Sequence, residues 1–308
     1  MPSAAARPGR AAMARALAKP RPGLVVVQGD TSSALGAARA ASDLAVPLAH
    51  VEAGLRSHDP DQPWPEEINR AEIDRLADLL FAPTIANAMN LRSERVRGEV
   101  YITGNSGIDA LAAIVGDLPL VARSNWLPRR GMRLLVTCHR RENWERLDRV
   151  MDALLILGKE GIRSDLLLPL NANLTERMRS RLSRARNVRL LPALDHAASI
   201  RAMRLADLVL SDSGGMQEEA PALGVPLLVL RDKTERPEAL ASGSARLVGT
   251  NTAAILAAVR GLRRDRSALR AMRVGSLPFG DGKAAPRIAL HCLHHIEGRQ
   301  EPDRLRTA

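Results

Sequence analysis

At 308 residues, 45% of them hydrophobic, the chain has the length of two domains at roughly 150 residues each and enough apolar side chains for a core in both. Its 26% charged residues and the lack of any apolar run approaching about 18 residues exclude a disordered chain and a helix inserted in a membrane. The net charge of +11 is concentrated at the two ends, the middle of the chain is balanced, and three Trp, two Phe and one Tyr give few stacking platforms, so no nucleic-acid partner is expected.

Residues 1–23 contain basic side chains and no acids, with the Arg/Ala bias of a transit peptide but no apolar core of a secretory signal, and an exposed amphipathic helix is expected around 11–18. From there on, short β-branched or leucine-rich runs alternate with helical patterns. Strands are expected at 24–27, 47–51, 79–82, 100–103, 132–137, 165–168, 188–191, 208–210, 226–230 and 246–248. Continuous apolar runs separated by helices predict a parallel sheet buried on both faces. The helix over 65–78 should turn Ile68, Ala71, Leu76 and Leu79 toward one face, and the helix over 145–157 should do so with Leu147, Val150, Leu154 and Leu157. The stretch 116–131, with two prolines and no period, reads as a linker, which gives an α/β domain at 1–115, a second at 132–275 and a C-terminal helix and basic tail at 276–308. In such sheets ligands collect beyond the carboxyl ends of the strands.

The residues that follow the strands carry the chemistry. Gln28-Gly29-Asp30-Thr31 puts a carboxylate at a strand end, although Asp30 can also be read as the cap of the next helix. In His50-Val51-Glu52-Ala53-Gly54-Leu55-Arg56, alternation sends His50 and Glu52 to one face, with Arg56 as a possible ion-pair partner for Glu52. Pro63-Trp64-Pro65-Glu66-Glu67 opens a helix with acids where its dipole favours them, and the rigid prolines would fix Glu66. Cys138-His139-Arg140-Arg141 follows the first strand of the second half, a place where arginines can grip phosphate in bidentate fashion.

Ser213-Gly214-Gly215 starts a helix where backbone N–H groups make an anion site, and Glu219, one turn on, can accept hydrogen bonds from ribose hydroxyls. No Gly-Lys-Ser/Thr follows, so this is not a Walker loop. Arg231, Lys233 and Arg236 are expected to bring three cations to the same rim. The two cysteines lie far apart and form no metal-type cluster, there is no GxGxxG loop after a strand, and neither a metal nor a nicotinamide cofactor is expected. A cytoplasmic location is expected.

Taken together, QGDTSSAL, HVEAGLRS, PWPEEINR, ITGNSGIDAL, TCHRREN, SDSGGMQEEAPALGVPLLVLRDKTERPEA and PFGDGKAAPRI resemble the non-hydrolysing UDP-N-acetylglucosamine 2-epimerases over residues 24–290. The resemblance implies two Rossmann-like domains of the glycosyltransferase-B type, UDP-sugar in the cleft, and a C-terminal helix crossing back to the first domain. It implies elimination and re-addition of UDP through a 2-acetamidoglucal, interconverting UDP-GlcNAc and UDP-ManNAc for cell-surface polysaccharide biosynthesis, by a homodimer without a cofactor. Residue by residue it makes Asp30, Glu52, Glu66 and His139 catalytic. Arg140, Ser213, Gly214, Gly215, Glu219 and Arg236 become substrate ligands. The family's opening strand and its Gly-Thr-Arg-Pro-Glu type loop do not occur in this sequence, which implies an incomplete first sheet and low stability and activity for the chain as written. Cys138 stands where the family has glycine, and Pro169 where it has a histidine. A UDP-sugar-binding remnant and a glycosyltransferase of the same architecture are the alternative readings.

Overall fold

A computed structural model describes residues 6–116, 131–273 and 275–298. All ten expected runs are strands, and they form two parallel sheets. The chain divides into two compact units, one running to Ala110 and resuming at Phe279, the other spanning Leu111–Pro278.

In the first unit, α1 (Ala6–Ala18) precedes β1 (Val25–Gln28), α2 (Ser32–Asp43), β2 (Leu48–Val51), α3 (Glu66–Leu76), β3 (Leu79–Ala82), α4 (Ile85–Ser93), β4 (Glu99–Ile102) and α5 (Ser106–Val115). The strands lie in sequence order β1-β2-β3-β4, with β1 at an edge. One core gathers Val25 and Val27 with Leu35, Ala38 and Ala41 of α2, while Val26 points the other way and is 53% exposed. Across the sheet, Ala49, Val51, Leu79, Phe81 and Tyr101 pack on Ala284 and Ile288 of the last helix. Asp109 of α5 receives the backbone N–H groups of Ala284 and Ala285 at 3.0 and 2.8 Å, which satisfies the orphan donors at that helix start.

The division between the units falls within α5. In the second unit come β5 (Arg133–Thr137), α6 (Leu147–Lys159), β6 (Arg163–Leu167), α7 (Ala172–Leu182), β7 (Val188–Leu191), α8 (His196–Leu205), β8 (Leu208–Ser211), α9 (Gly214–Leu223), β9 (Leu227–Val229), α10 (Pro237–Ala241), β10 (Ala245–Leu247), α11 (Thr252–Arg264) and α12 (Arg266–Ala271). The final helix, α13 (Ala284–Glu297), belongs to the first unit. Sheet order in the second unit is β10-β9-β8-β5-β6-β7, so the winding direction reverses between β5 and β8. Leu147, Val150, Leu154 and Leu157 of α6 are all buried as the periodicity predicts, each contributing about 1.5–3 kcal/mol of apolar burial. Most of the stretch expected to be a linker, 117–130, and the basic tail from 299 on lie outside the described residues.

α3 departs from its expected pattern. Its apolar face does not lead it into the core: Ile68 is 38% exposed and Leu76 only half-buried, while Glu67, Asn69, Arg70 and Asp74 are buried beside Ile73. Apolar spacing misreads this helix because its polar side chains find buried partners, described next.

Candidate functional site

Two clusters of functional side chains lie at the carboxyl rims of the two sheets. In the first unit the chain leaves β1 through Gly29, whose φ of +67° makes the turn that a side chain would strain. Thr31, not Asp30, caps α2, its hydroxyl accepting Ala34 N–H at 3.2 Å. The carboxylate of Asp30 is therefore left for other work, and Oδ2 meets Nη2 of the buried Arg70 in an ion pair. Asn69 Nδ2 donates to the Asp30 carbonyl at 2.8 Å.

Glu52 lies one residue past β2, with φ +72°, so strand alternation does not extend to it. It nevertheless comes to the same turn: its Oε2 sits 3.5 Å from where a Cβ on Gly29 would be. His50, fully buried, donates from Nε2 to the Gly29 carbonyl at 3.0 Å, and its Nδ1 lies 2.6 Å from Asp74 Oδ1. Arg56 does not pair with Glu52; it grips Glu94 with two bonds of 2.7 and 2.8 Å and reaches Asp74 at 2.7 Å. Burial alone would raise the Asp74 carboxyl, but the charges and hydrogen bonds of His50 and Arg56 outweigh it and hold Asp74 below its ordinary value.

The two glutamates opening α3 part company. Glu67 is buried against Arg70 at 3.0 Å and accepts Ser57 and His58 N–H groups at 2.9 and 3.1 Å. Glu66, half-buried in the first turn, is free of that network and stands where the helix dipole favours its charge.

In the second unit the loops after β5 and β8 are neighbours at the reversal of strand order, the place where open α/β sheets collect ligands. Asp212, fully buried, organises them by accepting His139 N–H and Arg140 N–H, both at 2.9 Å, and Asn143 Nδ2 at 3.0 Å. The His139 ring stays half-exposed, its Nδ1 3.4 Å from Asp212 Oδ1. Cys138 is buried, and burial together with Asp212 pushes its thiol well above its ordinary value, which makes it an inert packing residue.

Ser213 takes the cap position of α9 without a side-chain capping bond, which leaves its hydroxyl and the first-turn N–H groups available. Two guanidinium groups converge there. A Cβ on Gly214 would lie 2.7 Å from Arg236 Nη1 and 3.2 Å from Arg140 Nη2, whereas Gly215 beside it is open, with its nearest neighbour Ser213 Oγ at 4.0 Å. Arg236 is fixed by Glu218 at 2.6 Å and by Glu235, and its backbone N–H by Thr234 Oγ1 at 3.0 Å. Two arginines, a helix N-terminus and a hydroxyl at one point make an anion site suited to a diphosphate.

Glu219, further along α9, is held by His196 Nε2 at 2.7 Å. Of the three cations expected at this rim, Arg231 turns inward instead, buried against Glu142 and Glu235 at 2.8 Å each, because an internal guanidinium needs carboxylates more than solvent does. Lys233 is exposed. Sequence patterns alone assign no role to Asn69, Arg70, Asp74, Asp212 or His196. The signal for α3 was there: Glu67, Arg70 and Asp74 are spaced along one helical face.

The profile of the family described as UDP-N-acetylglucosamine 2-epimerase matches residues 9–292. The chain belongs to this family. The UDP-N-acetylglucosamine 2-epimerase of Escherichia coli K12 is 39% identical over 284 residues, 88% of this chain and 76% of the relative. A crystal structure of the UDP-GlcNAc 2-epimerase of Neisseria meningitidis bound to UDP-GlcNAc superposes with a TM-score of 0.87 at 34% identity, covering 94% of this chain and 81% of that one. The Methanocaldococcus jannaschii UDP-GlcNAc 2-epimerase, in complex with UDP-GlcNAc and UDP, gives a TM-score of 0.79 at 30% identity over 94% of this chain and 80% of that one. The expected family and the two-sheet α/β fold are borne out by these matches. Among the described residues no helix is long and apolar enough to cross a membrane.

Proposed function

We propose that this epimerase-family chain interconverts UDP-N-acetylglucosamine and UDP-N-acetylmannosamine. The observation that carries the reading is the meeting of Arg140 and Arg236 over Gly214 at the start of α9, a preorganised seat for a pyrophosphate that must leave and return. Ser213, Gly214 and Gly215 complete that seat, and Glu219 accepts the ribose hydroxyls. The carboxylates Asp30, Glu52 and Glu66 belong to the other unit and serve the sugar, with His139 beside the departing phosphate.

A base takes the proton from C2. The C1–O bond breaks, its electron pair leaves with UDP, and a C1=C2 bond forms in the 2-acetamidoglucal. UDP then re-adds at C1 while C2 receives a proton on the opposite face, which inverts it. The C2 proton, on the carbon that bears the acetamido group, is only weakly acidic, so the reaction needs a carboxylate on each face as well as cations for the leaving group. The work divides between a sugar-facing domain (1–115 with the helix in 276–308) and a nucleotide-binding domain (132–275). The enzyme works in the cytoplasm as a homodimer and without a metal or other cofactor, because Arg140 and Arg236 take up the charge of the departing pyrophosphate.

The test is incubation with UDP-N-acetylglucosamine in deuterated buffer containing EDTA, followed by NMR. Both epimers should appear, with deuterium at C2. Release of UDP with no manno product, or an epimer that keeps its C2 proton, would overturn the reading. Consumption of an added sugar acceptor would favour a glycosyltransferase instead.

A further inference from the structure

α3 buries the side chains that a surface helix normally exposes. Asp74 is 0%, Asn69 and Arg70 are 1% and Glu67 is 6% exposed. Each buried ion costs several kcal/mol of desolvation before its partners repay it, so the arrangement is a poor way to hold a helix on a sheet. What it does achieve is to fix one residue.

Three buried side chains converge on Asp30 from different directions. His50 holds the carbonyl of Gly29 at 3.0 Å, Asn69 holds the carbonyl of Asp30 at 2.8 Å, and Arg70 Nη2 takes Asp30 Oδ2. Behind them, Asp74 receives His50, and Glu67 receives Arg70 Nη1 at 3.0 Å while Ser57 and His58 N–H groups fix Glu67 in turn. Arg70 Nη1 also reaches the Leu55 carbonyl at 3.2 Å, yet Arg70 Nε is buried with no hydrogen-bond partner. A guanidinium placed for stability alone would have that donor satisfied. Here it is left over because the fork is aimed along its Nη atoms, between Glu67 and Asp30.

We propose that Asn69 and Arg70, backed by Glu67 and His50, are positioning residues that lock the main chain and Oδ2 of Asp30 and leave Oδ1 as the oxygen that meets the sugar. The proposal rests on the reading of Asp30 as a reacting carboxylate. Its benefit is geometric: a carboxylate already in place need not be ordered in the transition state, and displacement of a reacting group by about 1 Å can cost on the order of 100-fold in rate. Arg70 has no part in gripping the nucleotide, which falls to the α9 rim.

Arg70→Lys, Asn69→Ala and Asp30→Asn, with Arg70→Lys/Asp30→Asn, test this by steady-state and single-turnover kinetics on UDP-N-acetylglucosamine and by thermal melting. Arg70→Lys should lower kcat about 10- to 100-fold, with KM within about threefold, and Asn69→Ala should lower kcat by about tenfold. In the double variant Arg70→Lys should add no loss to that of Asp30→Asn, because both act through one carboxylate. A merely structural Arg70 would instead lower the melt and multiply its kinetic loss onto that of Asp30→Asn. That multiplicative result, or wild-type kcat in both Arg70→Lys and Asn69→Ala while Asp30→Asn is crippled, would overturn the positioning role and leave the role of Asp30 standing. Wild-type turnover in Asp30→Asn would instead remove the reading on which the proposal rests. If Arg70→Lys does not fold, Asn69→Ala, which removes no charge, decides alone.

Discussion

Replacing Gly214 by alanine should cripple nucleotide binding with little harm to the fold. The new Cβ would stand 2.7 Å from Arg236 Nη1 and 3.0 Å from its Cζ. To restore an ordinary separation of about 3.5 Å, the guanidinium must retreat by roughly 0.8 Å (3.5 − 2.7). It cannot swing aside freely, because Glu218 holds Nε at 2.6 Å and Glu235 holds Nη1. Arg140 Nη2, 3.2 Å from the same point, is crowded as well. The loss of one charge-assisted hydrogen bond to a phosphate costs about 1.5–3 kcal/mol, or roughly 10- to 150-fold in Kd. Isothermal titration with UDP measures this directly. Gly261→Ala in α11, where nothing lies within 4 Å, is the control and should bind as wild type. Wild-type UDP affinity in Gly214→Ala would refute the assignment of the α9 start as the pyrophosphate seat.

Gly261→Ala should also stabilise the protein by about 0.4–1 kcal/mol, since it restricts the unfolded chain and helps the helix, an increase visible in the denaturant midpoint. Glu219→Gln should weaken UDP binding by about tenfold, as it replaces one acceptor oxygen of the carboxylate proposed to hold the ribose with a donor; equal affinities would move the ribose elsewhere. Asp30→Asn, Glu52→Gln and Glu66→Gln should each lower kcat by on the order of 100-fold with UDP affinity retained, and wild-type rates in all three would place the chemistry on other residues. Asp74 provides a pH test. Its folded value lies below its unfolded one, so the stability it contributes is present above about pH 4 and is lost as pH falls through the lowered folded value. Asp74→Asn should therefore be destabilised by about 3–5 kcal/mol at pH 7, a gap that narrows toward pH 3; a constant gap in denaturant titrations would contradict the ion-pair account.

Much of this architecture was legible in the sequence because continuous apolar runs admit few other readings. The strand from Leu79 to Ala82 is where it was expected, and α6 buries the four side chains its period names. The sequence also placed Gly29, Asp30 and the Ser213-Gly214-Gly215 turn at strand ends, which is where they are. What it could not supply was pairing. Whether Asp30 or Thr31 caps α2 depends on one backbone angle, and whether Arg56 serves Glu52 or Glu94 depends on where α4 ends. Glu52 escaped the alternation rule because the left-handed turn at that residue ends the strand. Arg231 read as a surface cation because nothing local reveals that Glu142 comes to it from another loop.

The polar face of α3 bears on which strand register the first unit can adopt. A helix such as α6 can settle on any apolar surface and adjust afterwards, since hydrophobic contact has no direction. α3 has no such freedom: its buried charges are tolerable only when His50, Gly29 and Asp30 are already at hydrogen-bonding distance, which requires β1 and β2 in register. Docking of α3 is thus favourable only on a correctly paired β1–β2 sheet. A shifted β1–β2 register would leave those buried charges unpaired, so in this chain the placing of the Asp30 carboxylate and the choice of strand register depend on the same few bonds.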